Sequence, residues 1–197
     1  MPESAIRRLI LGSSSPYRRE LLLRLRLPFD VVSPHVDETP LANEPPRDLA
    51  LRLAVAKAQA VASQHPQAVV IGSDQVADLD GEPLGKPGTH ARATEQLQRM
   101  RGKTVVFQTA VAVVCVETGF SQVDLAAVSV KFRDLADDEI ERYLRAETPY
   151  DCAGSAKSEG LGIALLESID SDDPTALVGL PLIRTCRMLR AAGVEVL

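Results

Sequence analysis

The stretch Leu9-Ile10-Leu11-Gly12-Ser13-Ser14-Ser15-Pro16-Tyr17-Arg18-Arg19 constrains this chain more than any other. An apolar strand-like run passes through small hydroxyl residues straight into a helix start. Pro16 suits the first helical position, where a missing N–H costs nothing and φ is already set. Such a helix start points unpaired backbone N–H groups and a partial positive charge at whatever sits above the strand. Ser13 and Ser15 add hydroxyls, while Arg18 and Arg19 add planar donors matched to phosphate oxygens. The sequence therefore predicts an anion cradle without the glycine spacing of a Walker or dinucleotide loop. The plain alternative makes the serines capping groups and the arginines a solvated helix face.

Strand and helix patterns alternate downstream. A helix is expected over Pro16–Leu27, a short strand over Phe29–Ser33, and a long helix from Pro45-Pro46 to about His65-Pro66 with Leu49, Leu53, Ala56 and Ala60 at helical spacing. Ala68–Asp74 reads as a buried central strand with Asp74 at its end. Asp80-Gly81 marks a tight turn between Val76–Leu79 and Pro83–Leu84. Thr89 caps a helix over Thr89–Arg101, and Thr104–Glu117 with Gln122–Phe132 reads as a hairpin turning at Thr118-Gly119. A helix from Asp137 to about Arg145, a short strand over Leu161–Leu166, a polar loop over Ser168–Pro174 and a helix over Pro181–Ala192 complete the pattern. The fold class is α/β, one mixed domain over residues 1–197 without repeats or a linker.

Composition narrows the function classes. Apolar residues at 45% and charged ones at 25% describe an ordinary globular protein. A net charge of −5 argues against a nucleic-acid partner, because wholesale phosphate contact needs a basic face. Ala110–Val116, the longest apolar run, is far short of the ~20 residues that span a bilayer, and Met1–Ile6 is too short for a signal segment, so no membrane partner is expected. Cys115, Cys152 and Cys186 are odd in number and lack metal-type spacing, which suits reduced thiols in the cytosol.

Chemistry concentrates in four further segments: Val36-Asp37-Glu38, Gly72-Ser73-Asp74-Gln75, Gly85-Lys86-Pro87, and Gly154-Ser155-Ala156-Lys157-Ser158-Glu159-Gly160. Together they offer carboxylates for a hard divalent cation and cations for a polyphosphate. Magnesium typically sits on one or two carboxylates plus substrate phosphates. A neighbouring acid can then orient or deprotonate a water for attack on phosphorus, which suits hydrolysis of a nucleotide phosphoanhydride. Asp74 is the strongest candidate, since a carboxylate ending a buried strand is costly without a partner. Glu38 has a turn role as its alternative, and Lys57, on an alanine-rich helix, could simply reach water. His35, His65 and His90 are given no chemistry, and Asp78, Asp80, Asp172 and Asp173 read as turn or solvated loop charges.

In order along the chain, S-x-S-P-x-R (Ser13–Arg18), V-D-E (Val36–Glu38), K-A (Lys57-Ala58), G-S-D (Gly72–Asp74), G-K-P (Gly85–Pro87), G-S-x-K (Gly154–Lys157) and V-G-L-P (Val178–Pro181) resemble the Maf-like nucleoside triphosphate pyrophosphatases. The resemblance implies a mixed twisted sheet with flanking helices, two lobes around a central cleft, similar to inosine triphosphatases. It implies cleavage between the α- and β-phosphates, with Asp74 as proton acceptor and metal ligand and Glu38 as a metal-linked acid. Ser13, Arg18, Lys57, Lys86 and Lys157 would bind the substrate. A divalent metal (Mg or Mn), a cytoplasmic location and a homodimer are implied too. Tyr17, Gln75 and Glu159 stand where the family sets base choice. The pyrimidine branch shows arginine, threonine and glutamine there, whereas S-D-Q and K-S-E-G resemble the branch acting on 7-methylguanosine triphosphate. A methylated guanine is cationic, so an aromatic face and a carboxylate both attract it. A dTTP/UTP or inosine triphosphate enzyme, and a non-catalytic nucleotide-binding regulator of cell division, are the alternatives.

Overall fold

The computed structural model describes residues 7–197, so the expectation for Met1–Ile6 lies outside the described residues. β1 (Leu9–Gly12) leads into α1 (Pro16–Leu23), with Ser15 as N-cap accepting from the Arg18 N–H at 3.4 Å. The helix stops at Leu23, short of Leu27, because Arg26 adopts φ 56°, a left-handed conformation that no right-handed helix passes through. β2 (Asp30–Val32) lies parallel to β1, and α2 (Pro46–Ala62) crosses over to β3 (Val69–Leu79), also parallel to β1. β4 (Glu82–Leu84) folds back on β3 through Asp80 (φ 56°) and Gly81 (φ 86°), the two left-handed residues that a hairpin turn of this hand requires.

After α3 (His90–Met100), β5 (Thr104–Cys115) and β6 (Phe120–Phe132) form the expected antiparallel hairpin. α4 (Asp137–Glu147), β7 (Leu166–Asp170) and α5 (Leu182–Ala191) follow. The sheet order is β2-β1-β3-β5-β6-β7, with β4 beside the far part of β3. The fold class is thus the α/β mixed sheet with flanking helices expected from the sequence. Two expectations need correction. Leu161–Leu165 is a 3-10 turn, because Gly162 packs against the Lys157 main chain where a Cβ would fall 2.5 Å from its carbonyl. Ser168–Asp170 belongs to β7, whose polar side chains face water along a sheet edge and so conceal the strand.

Three apolar clusters divide the molecule into two lobes along that sheet. On one face of the first lobe, Leu21 and Leu22 of α1 and Met188 and Leu189 of α5 cover Leu9, Leu11, Ile71, Val111 and Val113. On the other face, Leu49, Leu53, Ala54, Ala58 and Val61 of α2 cover Ile10, Val70, Ala110 and Ala112. In the second lobe, Leu97 and Met100 of α3 and Ile140 and Leu144 of α4 bury Phe107, Val128, Val130 and Phe132. Each large side chain so buried contributes roughly 1.5–3 kcal/mol. α2 lies so close to β3 that a Cβ on Gly72 would fall 2.3 Å from the Ala54 carbonyl.

Candidate active site

β1 ends at Gly12, opposite Gly72, and β4 joins β3 only from Ala77. Between those two neighbours, residues 73–76 leave one edge of β3 unpaired, at the point where the sheet changes from parallel to antiparallel. A cleft of about 570 Å3 opens there, lined by Ser13, Tyr17, Arg18, Glu38, Lys57, Asp74, Gln75, Lys86 and Glu159 among others. Asp74 therefore stands in the middle of a strand and not at its end. The strand continues to Leu79 because Ala77 and Leu79 feed the second lobe's core.

Alternation along β3 turns Asp74 toward α2, where Lys57 replaces an apolar residue in the inward stripe Leu49, Leu53, Lys57, Val61. Lys57 and Asp74 are both buried, and the Lys57 Nζ donates to Asp74 Oδ1 at 2.6 Å. The same ammonium lies 2.9 Å from Oε1 of the more exposed Glu38. Glu38 is held by its own loop: Arg52 of α2 donates to the Thr39 carbonyl at 3.1 Å and to both Glu44 oxygens at 2.6 and 2.8 Å. The Arg52 guanidinium pulls the Glu44 carboxyl down to about 2.

Arg18 reaches the cleft from α1. Its Nε donates to the Gly179 carbonyl at 2.8 Å and its terminal nitrogen to Ser13 Oγ at 3.5 Å. Burial lowers its pKa, while the Asp74 and Glu38 carboxylates oppose that shift. The guanidinium stays charged throughout the ordinary pH range. Gly179 has φ 123°, open only to glycine, and its carbonyl also accepts from Ser73 Oγ at 3.0 Å. The V-G-L-P segment thus anchors Arg18 as well as leading into α5. Lys86 is exposed on the cleft rim, in the loop after β4. Ser13 Oγ accepts from the Ser15 N–H at 3.2 Å, so the hydroxyl both caps the turn and faces the cleft.

The opposite end sets Tyr17 of α1 and Gln75 of β3 against loops. Tyr17 donates from its hydroxyl to Asp151 Oδ2 at 3.2 Å, and Cys152 lies alongside. Desolvation, followed by the Asp151 charge, pushes the Cys152 thiol up to about 12, so it stays neutral and offers no nucleophile. Gln75 gives its Nε2 to Thr109 Oγ1 and the carbonyls of Ala176 and Leu177 at 2.9–3.0 Å. Its Oε1 is then the amide atom left to accept from a ligand. Glu159 lines this end, and Lys157 stands over the ring of Tyr17, away from Arg18 and the carboxylate pair. The Lys157 ammonium sits 5.7 Å from the Tyr17 ring centroid and 3.0 Å from Glu147, a helix carboxylate with no distinguishing sequence context.

Asp173 also escaped the sequence reading as solvated charge. It is fully buried, accepts from the Ile183 and Arg184 N–H groups at 3.3 and 3.0 Å, and caps α5. Among the described residues, no group of three or more His, Cys, Asp or Glu side chains forms a metal cage. Glu38 and Asp74 nonetheless converge on one point near Arg18, and two carboxylates plus phosphate oxygens and waters are a sufficient donor set for magnesium. No helix among the described residues is long and apolar enough to cross a membrane.

A family model described as Maf-like protein matches residues 8–192. A 7-methyl-GTP pyrophosphatase from Albidiferax ferrireducens is 74% identical over 197 residues, covering 100% of this chain and 99% of its own. One of the same name from Polaromonas sp. is 76% identical over 188 residues, covering 95% and 86%. Another from Cupriavidus metallidurans is 61% identical over 185 residues, covering 94% and 93%. A solved HAM1 protein from Coxiella burnetii aligns with 66% of this chain and 74% of its own at TM-score 0.46 and 14% identity, too remote a likeness to carry an argument.

Proposed function

This chain belongs to the Maf-like family, and from that premise we propose that it is a nucleoside triphosphate pyrophosphatase whose preferred substrate is 7-methylguanosine triphosphate. A water oxygen attacks the α-phosphorus, the bond from that phosphorus to the α–β bridging oxygen breaks, and pyrophosphate leaves a nucleoside monophosphate. Asp74 accepts the water's proton. Arg18, Lys86, Ser13 and the N–H groups opening α1 take phosphate oxygens, and Lys57 offsets the charge gathering on the leaving group. A bound divalent cation, magnesium or manganese, would be held by Glu38 and Asp74 and would supply Lewis-acid charge to the phosphates. At the loop end, the Tyr17 ring offers a face, and Gln75 Oε1 and Glu159 offer acceptors, to a base that is cationic and carries N–H donors.

One observation carries this reading: a single ammonium, Lys57 Nζ, within 2.6–2.9 Å of carboxylates from two distant segments, in the cleft that Arg18 also enters. The test is pyrophosphate release from a nucleotide panel with Mg2+ or Mn2+. The methylated guanine nucleotide should give the highest kcat/KM. Higher turnover of UTP would overturn the base assignment, and binding without release of pyrophosphate would leave the regulator reading standing. The proposal includes a cytoplasmic location, which the free thiols of Cys115, Cys152 and Cys186 support, and a homodimer.

A further inference from the structure

The Lys57 ammonium sits at the point on which the Glu38 and Asp74 carboxylates converge, the place where the pair would hold a divalent cation. Its two carboxylate contacts, 2.6 Å to Asp74 Oδ1 and 2.9 Å to Glu38 Oε1, use the oxygens that make the site attractive to a metal. Lys57 and Asp74 side chains are only 7% and 9% exposed, so solvent screens the pair little. The α2 backbone that carries Lys57 is seated tightly on β3 at Gly72, so its Cα is fixed relative to Asp74. Two cations cannot share those oxygens without strong repulsion. We propose that Lys57 is a built-in competitor of the metal: its ammonium keeps the carboxylate pair closed to free divalent cations and yields only when a triphosphate offers it other oxygens.

The arrangement supports each part of this exchange. With two carboxylates converging and no third His, Cys, Asp or Glu among the described residues to join them, a hard cation would complete its coordination with waters and phosphate oxygens, and the phosphates strengthen its hold. Lys57 lines the same cleft as Arg18, so a triphosphate lying on Arg18 brings anionic oxygens within the lysine's reach. Metal would then enter with the nucleotide rather than before it. With the ammonium withdrawn, Asp74 has one oxygen for the metal and the other for the water's proton. The inference rests on the pyrophosphatase reading for its purpose, but its test needs no turnover.

Mn2+ alone is titrated into the whole protein, with binding followed by electron paramagnetic resonance and calorimetry. The wild type should bind weakly, and Lys57→Met should bind at least about tenfold more tightly, as expected when a competing charge is removed at close range. Lys57→Arg, which keeps the charge, should stay weak. Adding the α,β-methylene analogue of GTP should tighten Mn2+ binding to the wild type by a similar factor and change Lys57→Met far less. If Lys57→Met folds poorly, Mn2+ should raise its melting temperature more than that of the wild type. Equal Mn2+ affinity and equal thermal response in wild type and Lys57→Met would overturn the inference. Failure to release pyrophosphate from any nucleotide would instead overturn the reading it serves.

Discussion

The two ends of the cleft are built by different means. At the phosphate end, Asp74 comes from a strand, Lys57 and Arg18 from helices, and their partners lie 2.6–2.9 Å away in largely buried surroundings. At the base end, Gln75 of β3 is fixed at 2.9–3.0 Å, but Tyr17 meets loop residues: Asp151 at 3.2 Å, the Cys152 sulfur at 3.9 Å, and the Lys157 ammonium 5.7 Å from its ring centroid. Reaction chemistry needs groups fixed to within a fraction of an ångström, and regular elements with packed faces supply that. Recognition of a base tolerates more play, and loops can be changed without disturbing the sheet. The rigid end should therefore govern kcat, and the looser end should govern which nucleotide is chosen.

The largest effect expected is at Asp74. Asp74→Asn should lower kcat for pyrophosphate release by about 10^3-fold, in the range for a lost general base, with a smaller change in KM. Turnover within tenfold of wild type would break the division between the ends. Next comes Gly72→Ala, whose new Cβ collides with the Ala54 carbonyl and the Ala58 main chain. It should cost about 3 kcal/mol, as overpacking against backbone does. The melting midpoint, followed by circular dichroism, should fall by roughly 6–12 °C in a protein of this size.

Smaller effects sharpen the other end. Lys157→Gln should change the ratio of kcat/KM between the methylated and unmethylated guanine nucleotides several-fold, of the order of one cation–π contact. Competitive inhibition by inorganic triphosphate should stay unchanged. Equal weakening for every phosphate compound would return Lys157 to the phosphate end. The smallest effect concerns the loop that carries Glu38. The folded Glu44 carboxyl, at about 2, lies below its ordinary 4.5, so the Arg52 pair stabilises the fold above pH 4.5 and loses that contribution as pH falls toward 2. Urea unfolding of wild type and Glu44→Gln should differ modestly at neutral pH, and the two curves should converge at the acid end.

Much of the rigid end could be read from residues in order. The passage from Leu11 to Pro16 declared a strand and a helix start because each step has a local cause in backbone chemistry. Asp74 stands out as an acid in an apolar run, although the strand continues past it to Leu79, which the sequence pattern does not show. The apolar stretch thins there because one edge of the strand faces the cleft. Lys57 carried its own signal, a lysine in the stripe of Leu49, Leu53 and Val61, yet its partners lie on other elements and local sequence cannot name them. Asp173 was unreadable for a different reason. A solvated aspartate and a buried cap before a helix share one sequence context, and only the folded position of α5 separates them. Glu147 is the extreme case, an ordinary helix carboxylate until Lys157 and the Leu161 N–H converge on it from a loop.

β3, β5 and β6 run unbroken through both lobes, with their ladders continuous from Val70↔Val114 to Asp78↔Val106 and from Thr104↔Lys131 to Cys115↔Phe120. Proteins that swallow a ligand by swinging two bodies together pivot on a few residues between those bodies, and here the pivot would have to be a pleated plate several strands wide. The enzyme cannot shut like a door. Any tightening around a guest must come from flexing of the whole plate or from travel of the peripheral segments that carry Glu38, Lys86 and Glu159.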